Sequence, residues 1–206
     1  MSESKTALSI LILSLVERRD QLRTLLSALE AQIETHEGQL GDSVEILVDL
    51  DNGKRSISAK RNNLLQLAKG EYLCFIDDDD AVSDDFVESL SGVIKSKKNT
   101  DCITFNQTCN VESRKFTVSF GLGNPITSED CMLKSGGKIL YRPPYHMCGF
   151  KSSIAKRISF SEARNIRGKS VEDIEWLLRL YPYLNSEYKI PKILHHYQYS
   201  SQRSRS

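Results

Sequence analysis

Five segments of alternating pattern fill the first 76 residues, and they constrain the fold more than anything else in the chain. Leu8-Ser9-Ile10-Leu11-Ile12-Leu13 is an apolar run of strand length, suited to a strand covered on both faces. Leu22, Leu25, Leu26, Leu29 and Ile33 then recur at the three- and four-residue spacing of a helix. Val44-Glu45-Ile46-Leu47-Val48 reads as a second strand. Ser58 to Lys69 reads as a second helix, with Gly70 at its C-cap position. Tyr72-Leu73-Cys74-Phe75-Ile76 is a third strand that runs directly into Asp77-Asp78-Asp79-Asp80. This order predicts parallel βαβ units, whose ligand sites lie at the carboxyl ends of the strands. Glu17 follows the first strand, Asp49 and Asp51 the second, and the aspartate run the third, so one site fed by three loops is expected.

The second half has a different texture. Asp84 to Lys95 and Val171 to Leu180 read as helices, while Cys102 to Cys109, Lys115 to Phe120 and Lys192 to Tyr199 read as strands. Gly121 to Gly137 is glycine-spotted and long enough for a functional loop. No repeat or linker divides the chain, so the expectation is one α/β domain over residues 1–198 and a flexible basic tail over 199–206. At this length, folding buries roughly 70% of the unfolded surface, and no staple is needed. The five cysteines show no C-x-x-C pairing, which favours a reducing, cytoplasmic setting. The longest apolar stretch, Ala7 to Val16, is too short to span a bilayer, and the segment before it lacks a basic signal-peptide front. With 28 Lys and Arg against 27 Asp and Glu, the +1 net charge argues against a surface built wholly to coat nucleic acid or anionic membrane.

Four consecutive aspartates repel one another and become favourable when a divalent cation neutralises them. From Glu71 to Ile94 there are eight acids and no Lys or Arg, so the run is not neutralised locally. Oxygen ligands without paired Cys or His point to Mg²⁺ or Mn²⁺ rather than zinc. Capping of the next helix by Asp80 or Ser83 accounts for one residue, but not for Asp77, Asp78 and Asp79 together.

Lys60-Arg61-Asn62-Asn63 followed by Ala68-Lys69-Gly70-Glu71-Tyr72-Leu73-Cys74-Phe75-Ile76-Asp77-Asp78-Asp79-Asp80 resembles the R-N-x-G…A-x-G-E-Y-I-x-F-L-D-x-D-D signature of GT-A glycosyltransferases of family 2. Val171-Glu172-Asp173-Ile174-Glu175-Trp176 is similar to the family's downstream E-D motif at a helix start. The resemblance implies a Rossmann-like GT-A fold, with a mainly parallel central sheet flanked by helices. It implies metal-dependent, inverting transfer of a sugar from a nucleotide-diphosphate donor, a UDP-sugar first of all, to a hydroxyl on a glycan or lipid-linked glycan. On that pattern Asp79 and Asp77 hold Mn²⁺ or Mg²⁺, and Glu17, Asp49, Asp51, Arg61, Asp77 and Asp78 surround the donor. Asp173 falls on the general-base position, with Glu172, Trp176, His146 and Lys151 on the acceptor side. His195 or His196 supplies a further metal ligand, although strand alternation lets only one of the two face the site. Two turns depart from the family pattern, Ser14-Leu15-Val16-Glu17-Arg18-Arg19 and Asp49-Leu50-Asp51-Asn52-Gly53, and both bear on the nucleobase contacts.

Lys151 to Lys169 carries six basic residues and one acid, Glu162, just before Asp173, and the tail adds Arg203 and Arg205. An anionic acceptor would suit such a block, and a DNA glycosyltransferase acting on hydroxymethylated pyrimidines is the second reading. Readings of another class are a Mg²⁺-dependent nucleotidyltransferase and a non-catalytic nucleotide-binding module. A phosphatase is disfavoured, because Leu13 to Asp20 lacks a D-x-D-x-[TV] motif.

Overall fold

In the computed structural model, which describes residues 6–35, 43–96, 99–111, 114–125, 139–162, 165–166 and 169–199, strand β1 (Leu8–Leu15) lies between β2 (Val44–Asp51) and β3 (Tyr72–Asp77), parallel to both. Leu8, Ile10, Leu11 and Ile12 are fully buried, as expected of a strand with helices over both faces. Helix α1 (Arg19–Thr35) turns Leu22, Leu25 and Leu29 inward. Its Gln32 amide donates to Ser83 O at 3.0 Å and accepts from Val87 N at 2.9 Å, which ties α1 to the helix after β3. Helix α2 (Ile57–Leu67) starts at Ser56, whose hydroxyl accepts from Ala59 N. It ends three residues before Gly70, where an added Cβ would lie 2.5 Å from Ser9 N, so only glycine lets the chain pass this close to β1.

Beyond β3 the chain forms β4 (Ala81–Val82), α3 (Phe86–Lys95), β5 (Cys102–Val111), β6 (Arg114–Phe120), β7 (Ile139–Arg142) and β8 (Gly149–Lys151). A single helical turn, Ser152–Ala155, follows, then the small ribbon β9 (Asn165–Ile166) and β10 (Lys169–Ser170). Helix α4 (Glu172–Leu180) and the long strand β11 (Glu187–Tyr199) complete the described fold. The nine-stranded sheet runs β2-β1-β3-β8-β5-β11-β4, with β6 paired to β5 and β7 to β6. Its first half is parallel, as expected. In the second half β8 inserts antiparallel between β3 and β5, while β11 returns parallel to β5.

Trp176 is fully buried: it stacks on Phe160 and meets Phe150 and Phe75 edge-on. Its Nε1 donates to Ile158 O at 2.9 Å, so the one polar atom of the ring is satisfied within the core. The expected acceptor-side role of Trp176 is therefore corrected to a packing role. Among the described residues, no helix is long and apolar enough to cross a membrane. Most of the glycine-spotted loop, Arg164, Arg167 and the tail 200–206 lie outside the described residues.

Candidate active site

β3 ends at Asp77, and the chain turns at once, with Asp80 N donating to Asp77 O at 3.1 Å. Arg61 on α2 reaches Asp77 at 3.2 Å and Glu172 at the start of α4 at 3.4 Å. Its guanidinium is only 3% exposed and lies over the rings of Phe75 and Phe160. His146, between β7 and β8, places Nε2 3.4 Å from Asp77 and Nδ1 3.4 Å from Asp173. The aspartate run and the E-D motif are therefore joined through one imidazole. Asp173 also accepts from the Tyr145 hydroxyl at 2.7 Å and from Ile174 N at 2.7 Å.

These contacts set the ionisation. Desolvation alone would raise the Asp77 carboxyl, but His146 and Arg61 outweigh it and hold Asp77 below the usual carboxylate range. Asp173 follows the same logic: burial opposes its charge, and His146 prevails to lower it. Burial would discharge His146, yet the charge of Asp77 holds it up at about 9. The other three aspartates have separate partners. Asp78 accepts from Ser14 Oγ at 2.6 Å and from Arg18 at 3.0 Å. Asp80 lies 3.3 Å from His195 Nε2, and burial with the charges of Asp77 and Asp79 drives its carboxyl well above the ordinary range. Asp79 has only a long 3.6 Å approach from Arg18, is half-buried, and is pushed up by burial and by the charge of Asp77.

Among the described residues, no three His, Cys, Asp or Glu side chains are arranged to hold a metal ion by themselves. Mg²⁺ commonly binds through one or two carboxylates together with substrate phosphates, and Asp79 fits that mode. It offers hard oxygen donors beside like charges that a cation would relieve. Asp77, Asp80, His146 and Asp173 border a cavity of about 500 Å³, within the range of small-molecule sites.

The chain matches the family described as glycosyl transferase family 2 over residues 19–158, more than half of its length. It belongs to glycosyl transferase family 2. No curated protein sequence matches it. Among solved structures, the 1–349 fragment of TarS from S. aureus aligns with a TM-score of 0.60 at 15% identity, covering 94% of this chain and 60% of that one. S. aureus TarS aligns at 0.59 and 15% identity, covering 95% and 37%. The same fragment in complex with UDP-GlcNAc aligns at 0.56 and 14% identity, covering 95% and 59%. At these identities the likeness shows a shared fold, and this chain spans three fifths or less of those structures.

Within this family 2 fold, the residues expected from sequence fall into three groups. Asp77, Asp78, Asp79, Asp173, Glu172 and His146 converge around the β3 end, and His195 approaches from β11. Asp49 and Asp51 lie beside them but are already engaged. Arg55 closes on Asp49 with both terminal nitrogens, Asn63 donates to Asp49 at 2.7 Å, and Lys60 Nζ reaches Asp51 at 2.8 Å. Three residues stand apart. Glu17 is exposed, and the neighbouring Ser14 and Arg18 make the contact to the aspartate run instead. His196 points away from His195 and bonds Thr108 at 2.7 Å. Lys151 is paired opposite Tyr72 at the amino end of β3, roughly 16 Å up the strand from Asp77. Its expected acceptor-side placement is thus corrected, and Lys156, bonded to Ala68 O, shares that remote edge. Arg61 is also corrected: its buried guanidinium is committed to Asp77 and Glu172 rather than turned toward a diphosphate. Sequence reasoning missed Ser14, Arg18, Arg55, Lys60 and Tyr145. Ser14 and Arg18 fall in a turn that departs from the family pattern, and that departure was the available signal.

Proposed function

We propose that this chain transfers a sugar, with inversion, from a nucleotide-diphosphate donor to an acceptor hydroxyl, assisted by Mn²⁺ or Mg²⁺ at Asp79. The observation that carries the reading is the pair of motif carboxylates, Asp77 and Asp173, held on either side of His146 at the border of one cavity. A UDP-sugar is the donor to test, because TarS structures of the same fold are described as complexes with UDP-GlcNAc and with UDP. A cation bound at Asp79 would stabilise negative charge gathering on the leaving diphosphate.

The remaining work belongs to side chains of this chain. Asp173 is ionised at neutral pH and fixed by Tyr145 and Ile174 N, so it can accept the proton of an acceptor hydroxyl as that oxygen attacks. His146 lies between Asp77 and Asp173 and, with Arg61, offsets their charge. Arg61, Arg18 and Ser14 keep the aspartate turn in place before any ligand arrives. Asp49 and Asp51, beside one another at the β2 end, are the groups nearest to where the family reading puts the nucleobase. Lys151 and Lys156, two of the six basic residues behind the DNA reading, sit at the opposite edge of the sheet, which favours the glycan reading over it. Four described cysteines are free and buried, which supports the cytoplasmic setting.

The test is a thermal-shift titration with UDP-GlcNAc, with and without Mn²⁺, beside an assay of donor turnover. The expected result is a shift that needs both ligands, with turnover lost in Asp79→Ala. Undiminished turnover in Asp79→Ala, or in excess chelator, would sink the metal-assisted mechanism.

A further inference from the structure

Asp77 stands at one end of two separate charge bridges, and both lead to the start of α4. Its Oδ1 accepts from Arg61 Nη2 at 3.2 Å, and Arg61 Nε lies 3.4 Å from Glu172 Oε1. Its Oδ2 lies 3.4 Å from His146 Nε2, and His146 Nδ1 lies 3.4 Å from Asp173 Oδ2. One carboxylate at the end of β3 is thus tied, through two cations, to two consecutive residues far later in the chain. Arg61, His146 and Glu172 are buried, so these links are made away from bulk water.

The start of α4 has a use for such links. Val171, at its N-cap position, has no side-chain oxygen to close the first amides. Trp176 and Leu177 anchor the following turn in the core, but Glu172 and Asp173 come before them. Neighbouring side chains leave a helix about 100° apart, so one tether fixes the distance of the first turn and the second fixes its rotation. Rotation decides which way Asp173 faces. Its Oδ2 receives both Tyr145 and His146, whereas Oδ1 receives Ile174 N, which leaves Oδ1 the more open of the two to an incoming proton. Misplacing such a group by about 1 Å costs up to about a hundredfold in rate. We propose that Asp77 and Glu172 are positioning residues for the base: through His146 and Arg61 they set the distance and rotation of Asp173, and Asp77 serves the proton-transfer step rather than the metal. Asp79 remains the carboxylate offered to a cation, since Arg18 approaches it only at 3.6 Å. The assignment rests on the glycosyl-transfer reading, with Asp173 as base. It departs from the expectation that Asp77 holds the metal and donor and that Glu172 meets the acceptor.

Asp77→Asn and Glu172→Gln keep the size of each side chain and test the assignment in the full chain, with Asp79→Asn beside them. Calorimetry reads UDP binding in the presence of Mn²⁺. Turnover is read as UDP release from UDP-GlcNAc with water as the acceptor, and the tethers as amide exchange at Ile174, Glu175 and Trp176. Asp77→Asn should bind UDP within about threefold of the unaltered chain, yet release UDP about ten- to a hundredfold more slowly. Its three α4 amides should exchange at least about tenfold faster, while those of β1 do not change. Glu172→Gln should show the same pattern with a smaller loss of rate. Asp79→Asn should show the reverse, weaker Mn²⁺-dependent UDP binding with unaltered exchange at α4. A loss of UDP affinity of about tenfold or more in Asp77→Asn would return Asp77 to the metal and overturn the proposal. Unchanged turnover, unchanged exchange at α4, or exchange that quickens equally in β1 would overturn it as well. If the unaltered chain neither binds UDP nor consumes UDP-GlcNAc, the glycosyl-transfer reading falls, and exchange at α4 still decides whether the tethers exist.

Discussion

Along β1, β2 and β3, each aspartate at a strand end meets a cation or a strong donor inside the fold, whereas the facing surface of β5, β6 and β7 is largely apolar. Asp49 has Arg55 and Asn63, Asp51 has Lys60, Asp77 has Arg61 and His146, and Asp78 has Ser14 and Arg18. Buried charges are expensive unless paired, so the first half is a set of preorganised compensations that leaves Asp79, reached only at 3.6 Å by Arg18, and Asp80, whose Oδ1 has no partner among the described residues, as its least satisfied members. The second half is held more by apolar contact, with Lys189 and Glu187 as its main polar ties to β5 and β6. A polar, charged substrate suits the first surface.

The comparison breaks most visibly at Asp173. Asp173→Asn keeps the size of the side chain but removes the proton acceptor, and transfer should fall by about a hundred- to ten-thousand-fold with UDP-GlcNAc binding retained. Loss of donor binding together with rate would instead make Asp173 part of the donor half. Next in size is Arg61→Met, which leaves Glu172 buried and Asp77 half-buried without their shared cation. Urea denaturation should show a loss of about 3–5 kcal/mol. Leu140→Ala on the other wall should lie at the low end of the ~2–5 kcal/mol range for such truncations, because Leu140 already borders a cavity. If Leu140→Ala costs more than Arg61→Met, the contrast between a charge-held and an apolar-held half is wrong.

The parallel half was legible because its strands are long, apolar on both faces, and separated by helices with clear periodicity. The aspartate run and the E-D motif were legible as chemistry for the same local reason: the residues are contiguous. β8 was not legible, since three residues carry no periodicity, and its antiparallel insertion decides where its neighbours go. Lys151 precedes the E-D helix in sequence and so reads as acceptor-side, but β8 runs back along β3 and delivers it to the opposite edge. Arg61 reads as a phosphate ligand from its motif. Its actual partners include Glu172, more than a hundred residues away, and a slot between Phe75 and Phe160 that only tertiary packing creates. The apolar wall was visible as alternation in β6, but its closure over the site depends on the β5–β6–β7 register.

His146 sharpens the comparison through pH. Its pKa rises from 6.5 to about 9 in the fold, where Asp77 and Asp173 outweigh burial. A raised basic group contributes stability that is fully present below the unfolded value and is lost as pH climbs through the folded one. In the metal-free protein, the unfolding free energy should therefore decline between pH 6.5 and about 9. His146→Gln should flatten that slope and lower stability at pH 6. A profile identical in both proteins would show that His146 is neutral in the fold, and that Asp77 depends on Arg61 alone.

The smallest expected effect is at Arg55, the most exposed partner in the charged half, with a side chain 44% accessible. Its fork fixes both oxygens of Asp49, while Asn63 holds one of them from the other side. Water can replace an exposed guanidinium, so Arg55→Ala should change stability by less than about 1 kcal/mol. The carboxylate loses its fixed orientation, however, and a carboxylate reads an imide N–H only while it is aimed at it. Thermal-shift titration with UDP and with CDP should show the preference for UDP falling a few-fold in Arg55→Ala, with the affinity for CDP nearly unchanged. A parallel loss for both nucleotides would mean that Arg55 itself touches the phosphates. An unchanged ratio would move base recognition away from Asp49, and leave the pairs at the β2 end with a purely structural role.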